Sequence, residues 1–254
     1  MVCAPGYPGS TGEAQPAMDA FAAAAAAAAG WPAGALHAAY FETEKGGLER
    51  LAQADAALAL VPLPFYLGYR EALHLAPRLQ AVMAGGEANE RWTLVAGKGK
   101  VVHAADLDGW EIVSLAAWAP RFVRGPALAA FGELAASAKI TFSGAVLSAL
   151  RRAAAGEKVA ILLDGPQAAA LASLPFAASL EIVHRSAPLP VSVLCLVGSR
   201  LPAARATTLL AALPTLGDTE TGAAALAGLR LSAFLPVGDK ALTTAQTAYA
   251  AAPE

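Results

Sequence analysis

Few residues of this 254-residue chain have types and spacings that could do chemistry, and most admit a plainer role. Asp164, in Leu163-Asp164-Gly165-Pro166, ends an apolar run where a carboxylate could touch a ligand; capping the next helix is the preferred reading. Glu42 follows Tyr40-Phe41 directly. It could accept a hydrogen bond from a ligand hydroxyl, or begin the next helix, whose positive end suits an acid. Ser10 and Thr11 follow Gly9 at a helix start, as a partial anion site or, preferably, an N-cap. Ser143 lacks the Gly-x-Ser-x-Gly elbow of a nucleophile, and no histidine and acid can be assigned to it. His37, His74, His103 and His184 are scattered without metal-like spacing. Gly97-Lys98-Gly99-Lys100 lacks the Gly-Lys-Ser/Thr of a phosphate loop. Cys3 and Cys195 lie in strand-like apolar context and read as small buried hydrophobes. No convergent acid–base pair can be assembled, so the expectation is a non-catalytic protein with no metal and no cofactor.

The apolar run Ala56–Val61 has the length of a buried strand, and it breaks into Pro62, Pro64, Phe65 and Tyr66. In open α/β sheets ligands bind where strands end at their carboxyl edge. Tyr7, Tyr40, Phe41, Trp118 and Phe122 fall at other predicted loop edges. Each aromatic taken alone is more often core, but a cleft built from them would suit a greasy or flat ligand.

These residues must be positioned by alternating elements. Strands are predicted at Val2–Ala4, Leu36–Phe41, Ala56–Val61 and Leu79–Met83, with helices over about 13–29, 42–51 and 66–74 between them. A strand at Arg91–Ala96 leads to a second α/β set. It comprises helix Pro126–Ala136, strand Ile140–Phe142, helix Gly144–Ala155, strand Val159–Leu163, a helix to Ala172 and strand Leu180–His184. Pro188–Val197 then returns towards the first half, and three helices and a stretch at Leu231–Val237 close the chain. The pattern implies a parallel sheet wrapped on both faces in each half.

Composition narrows the function. Charged residues are 15% and hydrophobic residues 56%, with alanine about a quarter of the chain. Net charge is −2 without a basic block, which argues against nucleic-acid binding. The alanine run Ala22–Ala29 is far short of the roughly 20 apolar residues of a membrane span. No signal-peptide pattern follows Met1, so the chain is read as cytoplasmic or as a mature exported form.

Four phrases together resemble a type II periplasmic substrate-binding protein of the phosphonate-binding-like branch. They are Leu48–Ala52 with Asp55–Leu60, Ala105–Gly109, Ala149–Asp164 and Gly222–Val237. The resemblance implies an α/β, two-lobed fold with two hinge crossings, near 92–99 and 186–197, and an interlobe cleft. Lobe 1 is expected at 1–95 plus 193–254 and lobe 2 at 96–192. It also implies a periplasmic monomer, its signal peptide removed, that delivers a small molecule to an inner-membrane transporter.

Anion-binding members of that branch have a serine/threonine-rich turn opening a helix of the second lobe. Here the matching stretch, Ala116–Pro126, has no serine cluster and offers Trp118 and Phe122 instead. That departure resembles diverged, lipid-carrying members, including those of bacterial sterol transport. The expected ligand is therefore a lipid, contacted by Tyr7, Ser10, Thr11, Tyr40, Phe41, Glu42, Pro64, Phe65, Tyr66, Trp118, Phe122 and Asp164. A phosphonate or phosphate ligand is the alternative, and an enzyme on the same fold, such as a synthase or a deaminase-like protein, is the third reading.

Overall fold

The structure, a computed structural model, describes residues 1–3 and 11–253. The chain divides into two compact units: 1–89 with 190–238, and 90–189 with 239–254.

The first unit is built on a six-stranded sheet. Its order is Leu231–Pro236, Leu75–Met83, Ser192–Val197, Leu58–Pro62, Val2–Cys3, Ala39–Tyr40. The strand Leu58–Pro62 reads as a continuous apolar run because both its faces are covered. Leu58 and Leu60 join Leu194, Met18, Phe21, Leu209, Leu226 and Phe234 in one core cluster. The Phe21 and Phe234 rings meet there at 5.8 Å.

The expected parallel order holds for Val2–Cys3 with Ala39–Tyr40 and with Leu58–Pro62. The returning strand Ser192–Val197 inserts antiparallel between Leu58–Pro62 and Leu75–Met83. Both sheets are therefore mixed rather than purely parallel.

The second unit has a five-stranded sheet in the order Leu180–Arg185, Thr93–Gly97, Val159–Leu163, Glu111–Ser114, Lys139–Phe142. Glu111–Ser114 is parallel to both its neighbours, whereas Thr93–Gly97 runs antiparallel to Val159–Leu163. Helix Val146–Ala154 covers one face with Ala149, Leu150 and Ala153, against Val95, Val113 and Ile161.

Two expectations differ from what is observed. The helix expected at Pro126–Ala136 instead spans Pro120–Phe122 and runs into a π-helical turn at Val123–Ala127. Pro120 is suited to the first helical turn, and Pro126 lacks the N–H that would continue a regular helix. The lobe boundaries also shift, from 95 and 193 to 89 and 190, and residues 239–254 pack with the second unit. Arg121 is the reason. Its Nε and Nη2 donate to the carbonyls of Tyr249 and Ala250 at 3.0 and 3.1 Å, and its guanidinium lies 4.9 Å from the Tyr249 ring centre. Gly125 lets helix Asp239–Ala251 approach closely: a Cβ there would stand 2.7 Å from the Ala248 carbonyl oxygen.

Candidate functional site

Each unit presents the carboxyl ends of its parallel strands, and the expected ligand residues are best judged from there. In the first unit, Tyr7 and Ser10 lie outside the described residues. Thr11 opens helix Thr11–Ala28, its side chain also outside them. Tyr40 is only 2% exposed and belongs to the core cluster. Its backbone N–H donates to Gln15 Oε1 at 3.2 Å, which ties the strand end to that helix. Phe41 is half-buried against Gly46, where a Cβ would meet its ring at 3.0 Å. Glu42 is exposed, and it is the next residue, Thr43, that caps helix Glu44–Leu51 by accepting from the Gly46 N–H at 3.2 Å.

The Pro62–Tyr66 stretch is the first turn of helix Leu63–Tyr69, not an open wall. Pro64, Phe65 and Tyr66 are buried in it, and Phe65 packs on Tyr69 at 4.9 Å between ring centres. The Tyr69 hydroxyl in turn hydrogen-bonds Glu44. Buried rings of this size contribute more to the core than they could to a surface contact. The prolines mark a helix start here because Pro62 supplies the extended N-cap and Pro64 tolerates a position whose N–H has no helical partner.

In the second unit, Phe122 is fully buried, edge-on to Trp92 at 5.2 Å, while Trp118 remains half-buried in the turn before Pro120. Asp164 is a helix cap, the plainer of its two roles. Its Oδ1 accepts from the Gln167 N–H at 2.8 Å, and Gln167 Oε1 accepts from the Asp164 N–H at 3.2 Å. Ser114, at the end of its strand, spends its hydroxyl internally. The oxygen donates to the Leu162 carbonyl at 2.9 Å and accepts from the Ala116 N–H at 3.1 Å. The following turn, Leu115–Ala119, carries no hydroxyl side chain. Tyr40, Pro64, Phe65, Tyr66 and Phe122 are thus core residues of their own units, and among the described side chains of that set only Phe41, Glu42, Trp118 and Asp164 keep exposed or half-exposed positions near strand ends.

Three further residues were missed by sequence reasoning. Glu90 is half-buried, and its Oε2 accepts from the Gly165 N–H at 2.8 Å. Burial raises its pKa to about 7; the Gly165 bond opposes that, and the nearby Asp164 charge adds to the rise. Asp164 is itself raised by burial. Gly165 permits this approach, since a Cβ would stand 3.2 Å from both Glu90 Cβ and Oε2. Phe142 and Leu147 are 59% and 44% exposed, at the carboxyl end of the edge strand and the start of the helix after it. An aromatic ending a strand just before Ser143-Gly144 was the available signal for Phe142, the same signal that singled out Phe65. Among the described residues no cluster of three or more His, Cys, Asp and Glu could hold a metal ion, and no helix is long and apolar enough to cross a membrane.

Solved structures resemble this chain over almost its whole length. XAC2383 from Xanthomonas citri, bound to chloride ion, is 14% identical with a TM-score of 0.73, covering 98% of this chain and 95% of its own. The chain has the two-lobed fold of the type II periplasmic binding proteins. A binding-protein component of an ABC phosphonate transporter from Pseudomonas aeruginosa shares that fold at 15% identity and a TM-score of 0.64, over 95% of this chain and 82% of that one. PhnD1 from Prochlorococcus marinus, in complex with methylphosphonate, does so at 12% and 0.62, over 97% and 95%. No family model and no curated protein matches the sequence.

Proposed function

We propose that this chain is a non-catalytic periplasmic solute-binding protein that captures a hydrophobic ligand, lipid or sterol-like, and delivers it to an ABC-type membrane transporter. The binding-protein role is supported by the fold shared, over 95% of this chain, with a binding-protein component of an ABC phosphonate transporter. The ligand class rests on the carboxyl edge of the second unit's sheet. Phe142 and Leu147 expose carbon there, and the Ser114 hydroxyl is already committed to backbone. Asp164, at the same edge, forms no ion pair among the described residues, and its carboxylate would repel an anion. An apolar body carrying a hydroxyl suits such a surface, with a carboxylate accepting from that hydroxyl.

Two of the neighbours were captured with chloride and with methylphosphonate, so an anion is the competing ligand. The deciding experiment is native mass spectrometry of protein from its own host with lipid extraction, beside titrations with methylphosphonate and a sterol. Copurifying lipid, displaced by the sterol and weakened about tenfold in Phe142→Ala, is the expected result. Tight methylphosphonate binding without lipid binding would overturn it.

One observation favours an enzyme instead. A carboxyl group with a pKa of about 7 beside a second carboxylate is what general acid–base chemistry needs. Both groups already hold backbone N–H groups, which supports a structural role for them. Product formation that Glu90→Gln abolishes while ligand binding persists would establish the enzyme.

A further inference from the structure

The opposite, amino-terminal edge of the second unit's sheet carries a charged depression that the cargo reading does not use. It has a volume of about 550 Å³, and Glu111, Lys139, Thr141, Arg152, Glu157 and Lys158 line it. Lys139 and Thr141 point to the same side of the edge strand Lys139–Phe142, as residues two apart must. Glu111 opens the neighbouring strand, Arg152 comes from the last turns of helix Val146–Ala154, and Lys158 leads into strand Val159–Leu163.

The frame is fixed by backbone. The Glu111 N–H donates to the Lys158 carbonyl at 3.1 Å and the Lys139 N–H to the Trp110 carbonyl at 2.9 Å. Its charges are unevenly satisfied. Arg152 reaches Glu111 through Nη2 at 3.0 Å and Glu157 through Nε at 2.8 Å, so one guanidinium engages both carboxylates. Lys139 and Lys158 form no ion pair among the described residues, and the Thr141 hydroxyl makes no hydrogen bond there. Three cations against two anions leave the lining with an excess positive charge.

We propose that this depression is a binding site for a small oxyanion of the phosphate class, held by the Lys139 and Lys158 ammonium groups and the Thr141 hydroxyl. Two rotatable ammonium groups and a hydroxyl donor match the several acceptor oxygens of a tetrahedral anion. The Arg152 pairs engage Glu111 and Glu157, which leaves the two lysines without a carboxylate partner among the described residues. The site stands apart from the cargo edge and does not depend on what the cargo is.

The test is amide-shift mapping of the full-length, nitrogen-15-labelled protein titrated with sodium phosphate, against sodium chloride at matched ionic strength. Saturable shifts at 109–111, 139–141 and 157–159 are expected. Lys139→Ala with Lys158→Ala should weaken them at least about tenfold without lowering the melting temperature. Thr141→Val, which leaves every charge in place, should weaken them by a smaller factor. Shifts that follow ionic strength without saturating, or that persist in the double variant, would overturn the site. So would shifts confined to 10–12 or 114–119, which would instead assign phosphate to the cargo position. Cosedimentation with phosphatidylglycerol vesicles without any response to free phosphate would overturn the free-ion form in favour of a lipid headgroup.

Discussion

Glu90 shows how one half-buried carboxyl sets a pH dependence. Its pKa is raised from 4.5 to about 7 by burial. Between those values the folded chain holds a proton that the unfolded chain has released. The contribution to stability is complete below pH 4.5 and is lost as pH rises through 7. Glu90→Gln keeps an acceptor for the Gly165 N–H and removes the charge. It should raise the stability of the second unit at pH 8 by up to about 3 kcal/mol and change little at pH 4. Thermal melts at the two pH values check this, and an equal shift at both would refute it. Asp164→Ala should cost about 1 kcal/mol, because the Gln167 N–H loses its capping partner. Asp164→Asn should recover most of that loss in the same melts. These two acids also show the limits of reading residues singly. Asp164 announced its cap through the Asp-Gly-Pro-Gln order, whereas nothing local to Glu90 marks its environment, because the Gly165 N–H it accepts from belongs to a helix start seventy-five residues away.

At the scale of elements, apolar runs were good guides and loop chemistry was a poor one. Ala56–Val61, Val159–Leu163 and Leu180–His184 are strands within two residues of their expected ends, and the first two read as continuous apolar runs because they are buried on both faces. The expectation failed where proline had two meanings. In Pro62–Tyr66 and at Pro120 it starts a helix, so the aromatics that followed turned inward and became core. Gly125 illustrates a constraint visible only in three dimensions. Gly125→Ala would drive a methyl into the Ala248 carbonyl and the Ala252 side chain, at 2.7 and 2.8 Å. It should destabilise the second unit by about 2 kcal/mol or more. Faster hydrogen exchange confined to 239–251 and 120–127 would report it, and unchanged exchange there would show that the helix moves aside without cost.

For the whole molecule, the two-lobed architecture was legible from the order of elements and the resemblance they carry, but the ownership of the last helix was not. Asp239–Ala251 is rich in alanine and threonine, and no broad apolar stripe tells which unit it serves. Its place is fixed by carbonyls at its end that meet Arg121. Truncation after Gly238 should therefore lower the unfolding transition of the second unit and leave that of the first in place, as followed by calorimetry. Loss of the first transition instead would return the helix to the first unit. The routing has a consequence in time as well as in space. The first sheet keeps a vacant lane between Leu58–Pro62 and Leu75–Met83 until Ser192–Val197 arrives, and the second unit waits for residues beyond 238. The first unit therefore cannot close before residues 190–238 are made, and the second lacks its last helix until residues 239–251 follow, so both stay incomplete long after their first strands have been synthesised.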